Sequence, residues 1–173
     1  MNNEETMAVG NPRLNENRPE TAADVPGVIV FPPVLFFGAV LLGIALQYLW
    51  PVHLGLGWPQ SGIGAILVLT GGIIAGGAFR SLRRVGTNIH PGKPTTALVN
   101  SGPYRFARNP IYLANSVVYV GLTVLFNAFW PLLTLVPFFL LLHWGMVLRE
   151  ERYLEHKFGD AYLAYKSRVR RWL

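Results

Sequence analysis

Apolar residues in this chain come in long runs rather than in one-sided or alternating patterns. Four stretches carry them: Val28–Leu49, Ile63–Phe79, Ile111–Phe126 and Pro131–Leu148. A helix of about 17–25 apolar residues can cross the hydrocarbon core of a bilayer, at about 1.5 Å per residue. The pattern predicts an all-α, polytopic membrane protein with about four transmembrane helices. Pro32 and Pro33 fall in the first turns of the first span, where a missing N–H is harmless. Trp50 and Trp58 follow it at interfacial positions. The second span is glycine-rich, and its Gly72 and Gly76 form a G-x-x-x-G pair of the kind that lets helices approach closely in lipid. Pro137 predicts a kink in the fourth span.

The segments between these runs differ sharply. Trp50–Ser61 and Asn127–Trp130 have no Lys, Arg, Asp or Glu, and the latter is short enough to be a tight turn. Arg80–Pro110 is long, polar and rich in Gly and Pro, which predicts an ordered, functional loop. Arg149–Leu173 mixes charge with aromatics and predicts a continuing helix, a break at Gly159 and a second short helix. Arg168, Arg170, Arg171 and Trp172 are expected to lie against lipid headgroups. Residues 1–27 are polar and read as a disordered cytoplasmic tail, leaving 28–173 as one membrane domain.

Composition supports this division. Of the residues, 51% are apolar and only 14% charged, against about 25% charged in soluble domains. The formal charge is +6. All Lys and Arg lie in the tail, the 80–110 loop and the segment from Arg149 onward. By the positive-inside rule both termini and the long loop are cytoplasmic. The basic excess therefore reads as topology plus contact with anionic membrane lipids, not as a nucleic-acid surface. There is no cysteine, which excludes disulfides, thiolate metal sites and a cysteine nucleophile. No phosphate loop, dinucleotide fingerprint or serine elbow is present. No His or carboxylate spacing supports a metal, and His90 is a lone loop histidine.

Candidate chemistry gathers at one face of the membrane. Arg105, Arg108 and Asn109 precede the third span, and Glu150 and Glu151 follow the fourth. If these spans form an antiparallel hairpin, Arg108, Glu150 and Glu151 become neighbours and are the candidate catalytic cluster. Two adjacent carboxylates near low dielectric need cations or donors, and Arg108 is a suitable partner. The same cluster is also explicable as an ion-pair network at a membrane edge. His143, within the fourth span and two turns before Glu150, is expected on the same helical face.

The run Leu98-Val99-Asn100-Ser101-Gly102-Pro103-Tyr104-Arg105-Phe106-Ala107-Arg108-Asn109-Pro110-Ile111-Tyr112 resembles a segment of the isoprenylcysteine carboxyl methyltransferases and related phospholipid methyltransferases. Arg149-Glu150-Glu151, followed by Phe158-Gly159-Asp160-Ala161-Tyr162-Leu163-Ala164-Tyr165, is similar to that family's closing motif. The resemblance implies a small, prokaryotic-type inner-membrane enzyme that uses S-adenosyl-L-methionine to methylate a carboxylate, thiol or amine of a lipophilic acceptor. It further implies that Thr96, Ala97, Leu98, Val99 and Tyr104 line the cofactor, with Asn109, Pro110, Ile111 and Tyr112 as the next wall and Glu150 binding from the fourth span. Three positions depart from the family pattern: Asn109 replaces its His, Asn100 its Thr, and Met146 an Arg of eukaryotic carboxyl methyltransferases. A membrane reductase resembling the steroid 5-reductase group, with a nicotinamide cofactor, is one rival. A non-catalytic membrane protein is the other.

Overall fold

A computed structural model describes residues 31–88 and 94–173. The tail and the loop residues 89–93, including His90, lie outside that range, as do the first three residues of the expected first span. Among the described residues the fold is all-helical. α1 spans Pro32–Leu49, α2 Gln60–Val85, α3 Pro110–Leu125 and α4 Phe129–Leu142. α4 runs without interruption through a π turn, His143–Val147, into α5, Leu148–Phe158, and α6 follows at Asp160–Arg168. Three of these helical stretches are long and apolar enough to cross a membrane: α1, α2 and the continuous Phe129–Phe158. α3 is apolar but has only 16 residues, about 24 Å of helix.

α2 is longer than the apolar run predicts. It carries Arg80, Arg83 and Arg84 in its last turns and stops at Gly86, whose φ of 72° lets its N–H reach back to the Arg83 carbonyl. Only glycine takes that left-handed conformation without penalty. α3 opens on Pro110 at its first position, and α5 breaks at Gly159, φ 51°.

The helices pack in the order α2, α3, α4, α1. α2 and α3 run antiparallel through glycine contacts. A Cβ at Gly71 would lie 2.9 Å from the Ala114 carbonyl, and one at Gly121 would lie 2.8 Å from the Val68 amide. Gly64 meets Leu125 one step further along. The G-x-x-x-G pair is not part of this seam. Gly72 and Gly76 are exposed and have open space where a Cβ would stand. The seam instead repeats seven residues apart at Gly64 and Gly71, because that spacing returns to one helix face.

α1 crosses α4 where Gly43 meets Pro131. Phe36, Tyr119 and Phe138 bring α1, α3 and α4 together as an aromatic trio, with Tyr119 stacked on Phe138 at 5.5 Å. The Tyr119 hydroxyl lies 2.7 Å from the Thr134 hydroxyl, which reaches the Ala39 carbonyl at 3.2 Å. No polar atom in this trio is left unsatisfied, as burial in an apolar bundle demands. The outward faces of α1, α2 and α4 carry exposed Leu41, Leu42, Ile66, Leu69, Ile73, Leu133 and Leu141. That much exposed apolar surface belongs in lipid.

One connecting face is tied together by Asn127. Its φ of 53° turns the chain between α3 and α4, and its Oδ1 accepts from the Leu54 and Gly55 amides. Trp130 Nε1 donates to the Trp50 carbonyl at 2.6 Å. At the opposite end, the 94–109 segment, α5 and α6 fold over the bundle.

Candidate functional site

The loop after α2 is held in place by Thr87, which is buried and accepts from the Thr96 and Ala97 amides. The Thr95 amide donates to the Tyr153 hydroxyl on α5 at 3.1 Å. A 3-10 turn at Gly102–Arg105 packs onto α2, where Gly102, φ 60°, sits against the Ser81 hydroxyl and Gly77 against the Pro103 ring. Side chains at Gly77 and Gly102 would push this loop off the helix. The backbone of 95–99 thereby becomes one wall of a chamber.

That chamber has a volume of about 480 Å³, within the range of about 300–1,000 Å³ usual for small-molecule sites. Its loop wall is Thr95, Ala97, Leu98, Val99 and Tyr104. Its α3 wall is Asn109, Pro110, Ile111 and Tyr112, continued by Asn115 and Val118 one and two turns deeper. Arg108, just before α3, and Glu150, Leu154, Tyr162 and Tyr165 from α5 and α6 close it. The far end is apolar, formed by Phe31 just before α1 and Pro33, Phe36 and Phe37 within it, with Phe79 and Leu82 from α2. One cavity thus joins a polar, hydrogen-bonding end to a greasy end at the start of α1.

Most of the site residues expected from sequence line this chamber. Thr96 does not; its amide and hydroxyl are used to hold the loop to Thr87 and Gly86. The two adjacent glutamates divide their work. Glu150 faces the chamber, and its Oε2 accepts from the Tyr112 hydroxyl at 2.9 Å. Glu151 is turned away and only 4% exposed. It accepts two bonds from Arg171, at 3.0 and 2.9 Å, and one from the Asn109 amide at 3.2 Å. Arg108 lies beside Glu151, with Nη2 3.5 Å from it and its side chain 9% exposed. Its Nε and Nη1 have no hydrogen-bond partner among the described residues. Glu151 is therefore part of an ion-pair network behind the chamber, while Arg108 and Glu150 face into it. Arg105 does not line the chamber.

One sequence expectation is corrected here. His143 does not share a face with Glu150. The π turn between them changes the helical register, so seven residues no longer return to one side. His143 packs on Trp144 and Trp172 instead, outside the chamber. Arg171 and Trp172 make contacts within the protein: Arg171 grips Glu151, and Trp172 packs on Phe139 at 5.1 Å. Met146 is 1% exposed and packs with Tyr112 and Leu142 in the core.

Tyr162, Tyr165 and Leu154 are chamber residues that sequence reasoning left unassigned. Their signal lay in spacing: Leu154 follows Glu150 by one turn, and Tyr162 and Tyr165 stand three apart on α6. Burial, followed by the charge of Glu151, pushes the Tyr162 phenol up to about 12, with Arg108 opposing. Tyr104 and Tyr165 are raised as well, burial being the main cause. The hydrogen bond to Glu151 raises the Arg171 guanidinium, which stays charged. The chamber thus presents neutral phenols, the carboxyl of Glu150 and one guanidinium with two unpartnered nitrogens.

Comparison with known proteins points in one direction. The family described as phospholipid methyltransferase matches residues 60–161, from the first residue of α2 to the second of α6. A Haemophilus influenzae protein described only as uncharacterized is 38% identical over 63 residues, which is 36% of this chain and 79% of that protein.

Proposed function

Because this chain belongs to the phospholipid methyltransferase family, we propose that its chamber holds S-adenosyl-L-methionine against a lipophilic acceptor at the cytoplasmic membrane face. The family makes it an integral membrane methyltransferase; the acceptor, the membrane face and the residue roles are our reading. The observation that carries it is the single cavity, polar around Glu150, Tyr112 and Arg108 and apolar around Phe36, Phe37 and Phe79. In this reading α3 is the fourth crossing, and both 94–109 and α5 lie on the cytoplasmic side.

The residues fit the cofactor. Arg108, buried with Nε and Nη1 unpartnered, suits an anionic carboxylate. Glu150 suits an ammonium or ribose hydroxyls. The backbone and apolar side chains of Ala97, Leu98 and Val99 suit a flat base. When bound, the cofactor supplies a sulfonium methyl group: an acceptor lone pair forms the new bond to carbon, and the broken C–S bond leaves its electrons on a neutral thioether. No general acid is needed for that departure, which agrees with phenols that remain protonated. The protein's contribution is alignment of donor and acceptor and exclusion of water. A carboxylate acceptor releases no proton; an amine or thiol releases one to solvent. The α1 end admits the acceptor's hydrocarbon part.

The test is binding in detergent. S-adenosylhomocysteine is expected to raise the melting temperature of the purified protein, and NADPH to leave it unchanged. Glu150→Ala is expected to fold and lose that response. Stabilisation by NADPH alone would replace this reading with the reductase. Radiolabelled methyl transfer to a lipid extract then identifies the acceptor.

A further inference from the structure

We propose that Arg171 is a positioning residue that keeps Arg108 available to the chamber by occupying the one carboxylate that would otherwise capture it. This rests on the cofactor reading above. Two guanidinium groups compete for Glu151. Arg171 takes both oxygens in a fork, at 3.0 and 2.9 Å, the geometry in which arginine binds a carboxylate best. Arg108 is left with one contact to Glu151, at 3.5 Å, beside a hydrogen bond to the Tyr162 hydroxyl. Two of its nitrogens are buried without a partner, an arrangement that is costly unless an anion is meant to meet them.

Arg171 is itself held on both sides. The Arg108 amide donates to the Arg170 carbonyl at 2.9 Å, and Asn109 Nδ2 reaches the Arg171 carbonyl at 3.5 Å. Trp172 is packed against Phe139 and His143. The segment after α6 is therefore strapped across the start of α3 and the π turn. That strap delivers Arg171, which does not line the chamber, to Glu151. Without Arg171, Glu151 keeps its charge in a buried place, and Arg108 is the nearest cation that can turn to satisfy it. Arg108 would then leave the chamber.

This makes a ligand-selective claim. Binding of S-adenosylhomocysteine, which carries a carboxylate, is compared by calorimetry with that of 5′-methylthioadenosine, which lacks it. Arg171→Ala is expected to weaken S-adenosylhomocysteine by about tenfold, the loss of one charge-assisted contact, and to leave methylthioadenosine within about twofold. Adding Glu151→Gln to Arg171→Ala removes the charge that captures Arg108, so the double variant is expected to recover most of the lost affinity. Arg171→Lys, a point charge without the fork, falls between wild type and Arg171→Ala. If Arg171→Ala fails to fold, Arg171→Gln carries the same comparison. Parallel losses for both ligands, unchanged affinity in the Arg171 variants, or a double variant weaker than the single one would overturn the proposal and leave the cofactor reading standing. Wild-type protein that binds neither ligand would overturn the cofactor reading and this proposal with it.

Discussion

Replacing Tyr112 by Phe removes one oxygen from the junction between α3 and α5. The ring is 6% exposed and packs in the core, so Phe fills the same space. What is lost is the hydrogen bond from the hydroxyl to Glu150 Oε2 at 2.9 Å. A hydrogen bond is worth about 0.5–1.5 kcal/mol net, and about 1.4 kcal/mol corresponds to tenfold in affinity. If that bond orients Glu150 toward the cofactor, Tyr112→Phe weakens S-adenosylhomocysteine by about two- to tenfold. The assay is calorimetry on detergent-purified protein beside a thermal melt. Tyr119→Phe is the control. It deletes another buried hydroxyl on the same helix, 2.7 Å from Thr134 and outside the chamber. It is expected to lower stability by about 1 kcal/mol without altering affinity. Equal affinities for wild type and Tyr112→Phe, or a loss shared by Tyr119→Phe, would refute the assignment of Glu150 as an oriented cofactor ligand.

Other consequences can be checked directly. Gly71→Leu forces a side chain into the Ala114 carbonyl and should cost about 1–3 kcal/mol or more in unfolding measurements, whereas Gly72→Leu, in open space, should melt like wild type. The Tyr162 phenol is held near 12 rather than its ordinary 10. The fold favours its neutral form, so that stabilisation is fully present below pH 10 and lost as pH rises toward 12. The wild-type minus Tyr162→Phe ultraviolet titration should show its tyrosinate step near 12; a step near 10 would contradict the burial argument. Asn115 lines the chamber one turn beyond Tyr112, so Asn115→Leu should change KM for the acceptor and leave the affinity for S-adenosylhomocysteine unaltered.

The bundle was legible because its signal is local and strong. Apolar runs too long for a soluble core mark the helices, and basic loops mark one side. The closeness of the Arg108 and Glu150 neighbourhoods followed from a short turn at Asn127–Trp130, since a tight turn leaves two helices no choice but to run back together. The length of α2 was not legible, because three arginines look like the end of a span when they are only the end of its lipid contact. The glycine seam was misread for a related reason. A G-x-x-x-G pair shows which residues permit close approach, but which face meets a partner depends on where the neighbouring helix lies. Position 171 was read as surface for want of a local signal. Its partner Glu151 is twenty residues earlier on another helix, and pairing at that distance is set by how α6 and the following strap return over the π turn. The π turn likewise leaves no mark in the sequence and alone moves His143 off the Glu150 face.

The most direct test of the central claim is an experimental structure of the protein with S-adenosylhomocysteine bound. The expected result places the ligand between the Ala97–Val99 wall and Glu150, with its carboxylate on Arg108 and its sulfur facing the apolar end near Phe36. A ligand bound elsewhere, with the chamber collapsed or filled only by hydrocarbon, would contradict it.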